Sequence, residues 1–218
     1  MKAVGIDLAG VEKRPSGFCI LAESLNAHTC LLYSDKQVIE MIEQVSPDVV
    51  SIDAPLALPR DRPSLSAKYK NRSHLRECDK ALLKMGIRFF PVTLGPMRKL
   101  TRRGIKLRKI LEGKGFKVIE SFPGAAQDML GMPRKQKGLE KLQKALIKYG
   151  IKGDIEKRTI SDHELDAATS ALVGLFYLER NYTAIGDPEE ILMILPKTKP
   201  KRKTSHRTSA YFSWNPEM

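Results

Sequence analysis

Acidic and histidine side chains cluster at the start of one predicted helix near the C-terminal end of the 218-residue chain. In residues 161–168, a serine that can cap a helix is followed three positions later by Glu164, which can complete a capping box. Asp166 lies three positions after His163 and four after Asp162, so these three side chains share one helix face. Two alanines follow Asp166, so its carboxylate is expected to lie close against neighbouring elements, where it must be paired or bound to a cation.

Two further carboxylates end two predicted strands. The chain reads Gly-Ile-Asp up to Asp7 and Ser-Ile-Asp up to Asp53, and a helical pattern over residues 35–44 separates the two strands. A strand–helix–strand order implies a right-handed crossover and parallel strands. Adjacent parallel strands lie about 4.8 Å apart, so Asp7 and Asp53 should lie side by side at the carboxyl edge of the sheet. A third strand, residues 117–120, ends in Glu120.

Carboxylates from distant parts of the chain are therefore predicted to meet at one edge of the sheet. Such groups repel one another unless they bind hard divalent cations, and oxygen-rich clusters favour Mg²⁺ or Mn²⁺. Two such ions about 3.5–4 Å apart can activate a water and stabilise the leaving oxygen of a phosphodiester. The predicted catalytic residues are Asp7, Asp53, His163 and Asp166, and the candidate metal ligands are Asp7, Asp53, Asp166, Glu120 and Asp162.

Each of these residues also has a purely structural interpretation. A single Asp at a strand end is more often a turn or helix cap than a ligand. The helix dipole adequately explains Asp162 in the first turn. Glu120 could instead form a salt bridge to the basic segment that precedes it. His163 could act as a ligand or as a proton carrier for the attacking water.

The elements that position these residues predict an α/β fold. Strands are expected at residues 2–7, 17–21 and 29–33 as an antiparallel meander, followed by strands at 48–53 and 117–120. Together with amphipathic helices, they indicate a mixed five-stranded sheet flanked by helices within one domain, residues 1–196. Residues 191–195 are a candidate extra edge strand.

A basic helical insertion is predicted between the fourth and fifth strands, at about residues 60–115. From position 60 to 117 there are eighteen Lys and Arg against four Asp and Glu, an excess of 14 positive charges. Helices are expected at residues 73–85 and 97–112. The surface could be a solvated face or a phosphate-binding surface, and the sequence favours neither. The candidate nucleic-acid-binding residues are Arg76, Arg98, Lys99, Arg102, Arg103 and Lys106.

The overall composition is that of a globular protein with an excess of positive charge. The net charge is +13, which suggests nucleic acid as the partner, DNA or RNA. The three cysteines have no metal-ligand spacing and are expected to be free thiols in a reducing cytosol. No signal peptide or membrane span is predicted, so we expect a cytoplasmic protein. The basic tail, residues 197–218, is expected to be disordered.

Several short motifs, taken together in their order, resemble the RNase H-like superfamily. The last motif, His163-x-x-Asp166-Ala167, is most similar to RuvC-type Holliday-junction resolvases. More closely, the chain resembles an uncharacterised family of predicted RNase H-fold nucleases. The resemblance covers nearly all of the chain up to about Pro196, and it rests on the segments that begin with Gly5-Ile6-Asp7, Ser51-Ile52-Asp53, Arg76-Glu77-Cys78-Asp79, Glu120-Ser121-Phe122-Pro123 and Asp162-His163-Glu164.

The resemblance implies an RNase H-like fold in which Asp7, Asp53 and Asp166 bind metal, with His163 or Asp162 beside them. Arg76 and Asp79 match a family signature without an assigned role. RuvC-type resolvases act as dimers, so a dimer is one expectation, although no interface can be identified in the sequence. The insertion is much longer than in a minimal resolvase, so a junction substrate does not follow from the resemblance.

Three functional hypotheses stay open at this point. The first is a metal-dependent nuclease. The second is a non-catalytic nucleic-acid-binding protein on the same fold, which would have no reason to gather three acids. The third is phosphoryl transfer as in the sugar-kinase and actin superfamily, which shares the first-strand Asp. That fold duplicates its domain, and this chain contains no second copy, which argues against the third hypothesis.

Overall fold

The computed structural model describes residues 1–197 as one mixed eight-stranded sheet with helices on both faces. The tail predicted to be disordered lies outside the described residues, apart from Lys197. The strands are β1 (Lys2–Asp7), β2 (Ser16–Ala22), β3 (Asn26–Leu32), β4 (Val49–Asp53), β5 (Val118–Ser121), β6 (Lys152–Gly153), β7 (Tyr182–Asp187) and β8 (Ile191–Pro196). The helices are α1 (Asp35–Val45), α2 (Glu77–Lys84), α3 (Gly95–Gly113), α4 (Pro123–Leu130), α5 (Leu139–Tyr149), α6 (Asp154–Lys157) and α7 (Asp162–Leu178).

The five predicted strands form the middle of the sheet, in the order β3-β2-β1-β4-β5. β1 and β4 are parallel, as predicted, and their register places Asp7 directly opposite Asp53. β5 continues the parallel set, with Ile52 opposite Glu120. The carboxyl ends of three adjacent strands therefore carry acids at one edge of the sheet.

Three strands extend this arrangement. The strand predicted at residues 191–195 is present as β8, but it is not the edge strand of the sheet. β7 pairs antiparallel with the outer side of β8 and forms that edge. β7 is a mostly exposed strand with little apolar alternation, so its sequence lacks the usual strand signal. At the opposite edge, the two-residue β6 pairs with β3.

The segment between β4 and β5 contains α2 and α3, as predicted for the insertion. α2 begins at Glu77, later than the predicted residue 73, because Arg76 has an extended backbone and forms the N-cap. α4 was not predicted. It begins at Pro123-Gly124, which reads as a turn, although proline is well tolerated in the first turn of a helix.

Two apolar layers enclose the sheet. α7, α5 and α4 pack on one face, and α1 and α3 pack on the other. α7 is buried along nearly its whole length from Glu164 to Phe176. Within residues 1–197, no helix is long and apolar enough to cross a membrane.

The close approach of α7 to the sheet depends on two glycines. A Cβ atom added to Gly5 of β1 would lie 2.0 Å from the Ala167 carbonyl oxygen, and one added to Gly17 of β2 would lie 1.9 Å from the His163 carbonyl oxygen. Real Cβ atoms are essentially never found at such separations, so the backbones of α7 and the sheet touch directly. This contact places His163 and Asp166 over the carboxyl end of β1.

A buried carboxylate fastens the N-terminus of α7 to β3. The predicted capping box is present, since Glu164 Oε2 accepts hydrogen bonds from the Ser161 amide at 3.0 Å and from its hydroxyl at 2.9 Å. Glu164 Oε1 accepts from the Thr29 hydroxyl at 2.8 Å and from Arg158 Nη2 at 2.6 Å. Burial raises the pKa of Glu164, but the bonds from Arg158, Ser161 and Thr29 outweigh it and lower the pKa from 4.5 to about 2.

We predict that Gly17→Ala destabilises the protein by about 1–3 kcal/mol or more, because the new methyl group overlaps the α7 backbone. Urea unfolding monitored by circular dichroism measures the change. The matched control is Gly95→Ala, where an added Cβ meets no atom within 4 Å. Equal stabilities of the two variants would contradict the close packing of α7.

We also predict a pH-dependent effect of Glu164→Gln. The folded pKa of Glu164 is depressed, so its contribution to stability is complete above pH 4.5 and is lost as the pH falls towards 2. The variant should lose about 1.5–3 kcal/mol at pH 7, the usual range for hydrogen bonds to a charged group, and the difference from wild type should shrink below pH 4.5.

Urea titrations at pH 7, 5 and 3 test this, with the exposed Glu140→Gln as the control variant. A difference between wild type and Glu164→Gln that stays constant from pH 7 to pH 3 would show that the carboxylate charge does not fasten the helix.

Candidate functional site

Five acids from five different elements line one cavity of about 290 Å³ at the carboxyl edge of the sheet, and one of them is Asp79 of α2. Asp7 ends β1, Asp53 ends β4, Glu120 lies in β5 and Asp166 lies in the second turn of α7. The structure therefore brings together the three acids predicted as the core of a metal site, with Glu120 beside them. Asp162 and His163 are not among the residues that line the cavity.

Asp53 is the acid with the least compensation. Among the described residues, none donates a hydrogen bond to its carboxylate, although it faces Asp7 and Asp166 in the same cavity. Burial, followed by the charges of Asp7 and Asp166, raises the pKa of Asp53 well above its usual range. This carboxylate therefore favours either a proton or a cation at its oxygens.

Asp7 is paired with the predicted histidine. His163 Nδ1 lies 2.7 Å from Asp7 Oδ2, with the ring N–H donating. The hydrogen bond to Asp7 raises the pKa of His163, against the opposing effect of burial. His163 is about one-third exposed, so its ring reaches solvent while it contacts an acid of the cavity.

Asp166 already has a cationic partner that sequence reasoning did not identify. Lys135 Nζ lies 2.7 Å from Asp166 Oδ2 and 3.5 Å from Asp162 Oδ2. Gln127 Nε2 of α4 donates to Asp166 Oδ1 at 2.9 Å. Burial raises the pKa of Asp166, and Lys135 opposes that rise. Asp162 thus lies at the exposed rim of the site, where its one described partner is Lys135.

Glu120 belongs to a buried ionic network. This agrees with the alternative prediction that Glu120 forms a salt bridge to the basic segment. Its Oε2 accepts from Arg76 Nη1 at 2.7 Å and from the Leu56 amide at 2.8 Å. Arg76 also contacts both carboxylate oxygens of Asp79, at 2.8 and 2.9–3.1 Å. The network ties α2, the segment after Asp53 and β5 together, and it gives the unassigned Arg76–Asp79 signature a structural role.

The predicted nucleic-acid contacts divide into buried and exposed groups. Arg76 is only 2% exposed and is held by Glu120 and Asp79. Arg103 is 7% exposed and bound to Asp35 and the carbonyls of Ala9 and Tyr33. Arg98 is half-buried and donates to the Leu65 carbonyl. The charge of an arginine does not show whether it pairs with an acid inside the protein or is exposed on its surface. Lys99, Arg102 and Lys106 are exposed on α3.

Further basic residues surround the cavity that were not singled out in the sequence. Arg88 from the loop after α2, and Arg134 and Lys135 from the loop after α4, all line it. The basic run of residues 134–137 was the sequence signal that could have identified Arg134 and Lys135. Nothing in its spacing, however, connects it with Asp166.

The donor set suits Mg²⁺ or Mn²⁺, because Asp7, Asp53 and Asp166 offer carboxylate oxygens to one cavity. The unpartnered Asp53 carboxylate is the observation that favours a bound cation. Within residues 1–197, however, no group of three or more His, Cys, Asp or Glu side chains is arranged to hold an ion. Lys135 and His163 hold two of the three acids, so metal binding requires rearrangement of these side chains.

One solved structure shares the fold, at a low sequence identity. RuvC of Thermus thermophilus in complex with a Holliday junction substrate aligns with a TM-score of 0.50 and 16% identity, over 83% of this chain and 96% of that chain. A second structure of Thermus thermophilus RuvC gives a TM-score of 0.48, with the same identity and coverage. At this identity the likeness shows the fold alone, and it confirms the predicted RNase H-like architecture.

The family comparison agrees with the resemblance drawn from the motifs. No curated protein matches the chain. Residues 5–190 match the family model described as "Protein of unknown function (DUF429)", and this range contains every acid of the cavity. The chain therefore belongs to the DUF429 family.

Proposed function

We propose that this protein is a divalent-metal-dependent nuclease that hydrolyses phosphodiester bonds of nucleic acid. The observation that carries the proposal is the convergence of Asp7, Asp53 and Asp166 in one cavity, with Asp53 lacking any hydrogen-bond donor among the described residues. Acids brought together without compensating donors are destabilising unless a cation occupies the site.

The side chains have distinct roles in this proposal. Asp7, Asp53 and Asp166 would hold Mg²⁺ or Mn²⁺, with one or two ions. A bound ion would supply a polarised water and stabilise charge on the phosphate oxygens. Glu120 is held by Arg76 and Leu56, so we assign it to shaping the cavity. His163 uses Nδ1 to contact Asp7, which leaves Nε2 to exchange a proton with a water or with the leaving oxygen.

Exposed cationic residues of α3, together with a cation of the cavity, would supply the contacts to the phosphate backbone. Lys99, Arg102 and Lys106 are exposed on α3, and Arg88 lines the cavity itself. Such contacts hold a nucleic acid without reading its sequence. The RuvC structure with a Holliday junction shows that one protein of this fold binds DNA, and we propose nucleic acid as the partner here. We also propose a cytoplasmic location, because the three cysteines are free thiols, as expected in a reducing compartment.

A second candidate function is a non-catalytic nucleic-acid-binding protein. The observation in its favour is that Lys135 and His163 neutralise Asp166 and Asp7 without any metal. In this case the acids would stabilise the helix–sheet contact and the basic surface alone would carry the function. Metal binding separates the two candidates.

We predict that wild-type protein binds one or two Mn²⁺ ions in calorimetry at low salt, and that Asp7→Asn loses them. Cleavage of labelled nucleic acid should fall by about 100-fold or more in the variant, because a catalytic metal contributes several kcal/mol to transition-state stabilisation. Nucleic-acid binding should survive. The control is Glu23→Gln, an exposed acid paired with the N-terminus.

Metal binding and cleavage that are unchanged in Asp7→Asn would contradict the nuclease proposal. If wild-type protein binds nucleic acid but no Mn²⁺, even with a non-cleavable oligonucleotide present, the binding protein is the better description.

We further predict that Lys135→Ala increases Mn²⁺ affinity by about tenfold, equivalent to 1.4 kcal/mol. The Lys135 ammonium lies 2.7 Å from Asp166 Oδ2 and competes with the ion for that oxygen. Calorimetry on the full chain measures the effect, with the exposed Lys137→Ala from the same loop as the control. Equal affinities in wild type and Lys135→Ala would mean that the ion does not use Asp166.

A further inference from the structure

The acidic cavity has a second, apolar wall that phosphodiester hydrolysis does not require. Side chains of the insertion form much of this wall, and Phe122, which follows β5, and Met193 of β8 complete it. The wall is apolar while the sheet edge carries acids, so the cavity presents two different chemistries. The insertion residues concerned are Leu82, Phe89, Phe90, Met97 and Leu100.

Phe90 is the exposed member of this wall. It is 68% exposed, whereas Phe89 next to it packs against a small buried cluster that contains Leu82 and Met193. A single exposed apolar side chain is common on protein surfaces. Phe90 differs because it lines the same cavity as the acids, where an aromatic face is available to a ligand.

Cationic side chains line the same cavity as the aromatic ones. Arg88 and Lys135 are both lining residues. Arg134 also lines the cavity, is paired with Asp128, and places its guanidinium carbon 5.8 Å from the centre of the Phe122 ring. Aromatic faces interleaved with basic groups are the usual combination for a single strand, because bases stack on the rings while phosphates contact the cations.

The depth of the acids argues against an intact duplex. Asp166 is 6% exposed and the Asp7 side chain 14%, so a phosphate must enter the recess to reach them. A volume of about 290 Å³ suits a nucleotide-sized group and is too small for a double helix. In a duplex, neighbouring bases cover one another's faces, so only an unpaired or extruded base can stack on Phe90.

We infer that the insertion forms a binding site for one unpaired nucleobase, with Phe90 as its stacking surface, so that the substrate is a single strand or a nucleotide extruded from its helix. This inference rests on the proposed nuclease function, whose substrate class it specifies. Phe90 acts as a specificity residue, and it takes no part in the chemical step.

Fluorescence anisotropy of the full chain tests the inference. The probes are a 15-nucleotide DNA strand, its RNA counterpart and a 15-base-pair duplex, each measured with EDTA and with Ca²⁺. Wild type should bind the single strands more tightly than the duplex. Phe90→Ala should weaken single-strand binding by roughly 5- to 150-fold and leave duplex binding unchanged, because stacking on an aromatic side chain is lost.

Two variants serve as controls. Leu83→Ala removes another exposed apolar side chain of the insertion, 53% exposed, that does not line the cavity, and it should bind every probe as wild type does. Phe90→Trp keeps an aromatic face and should retain single-strand binding. Stacking also has a direct readout, since a 2-aminopurine base in the strand should lose fluorescence on binding to wild type and keep it with Phe90→Ala.

The outcomes separate this inference from the nuclease proposal. If wild type cleaves nucleic acid but Phe90→Ala binds single strands equally well, the base site is wrong and the nuclease proposal stands. If Phe90→Ala loses the same factor in affinity for the single strand as for the duplex, the proposed base site is also wrong. If wild type binds none of the three probes, both proposals fail.

Discussion

The direct contact between the α7 backbone and the sheet is the constraint on which the rest of the site depends. Gly5 and Gly17 place no side chain between the strands and the helix at these two positions, so α7 crosses β1 and β2 at backbone distance there. At that distance Asp166 reaches the cavity and His163 reaches Asp7. A helix held further away by ordinary side chains would leave the strand-end acids without their third partner, however well each element folded by itself.

Electrostatics then determine the state of the site. Five acids in a small recess would repel one another strongly, and the structure relieves this repulsion by separate means, with Asp79 bound to Arg76. Glu120 is held in an internal network with Arg76, Asp7 is paired with His163, and Asp166 is paired with Lys135. Asp53 is therefore the one of these carboxylates that has no hydrogen-bond donor from the described residues, which is the chemical basis for expecting a cation there.

The parts of this arrangement that could be predicted are those governed by local pattern. Short apolar runs located β1 and β4, periodic apolar residues located α7, and the rule of right-handed crossovers placed Asp7 beside Asp53. The missed parts depend on contacts between distant residues. Arg76 and Glu120 are 44 positions apart, and Arg103 and Asp35 are 68 apart, so their burial cannot be inferred from local charge. Lys135 lies in a loop after α4, a helix whose first residues read as a turn.

The late position of α7 in the chain also has a consequence for biosynthesis. A ribosome releases β1 and β4 well before residue 162, and the sheet edge with Asp7 and Asp53 stays uncovered until α7 emerges and packs against Gly5 and Gly17. Contacts of such long sequence separation form slowly. A nascent or prematurely terminated chain that ends before α7 thus lacks Asp166 and has no assembled cavity, so that the complete site arises only once nearly the whole domain has been made.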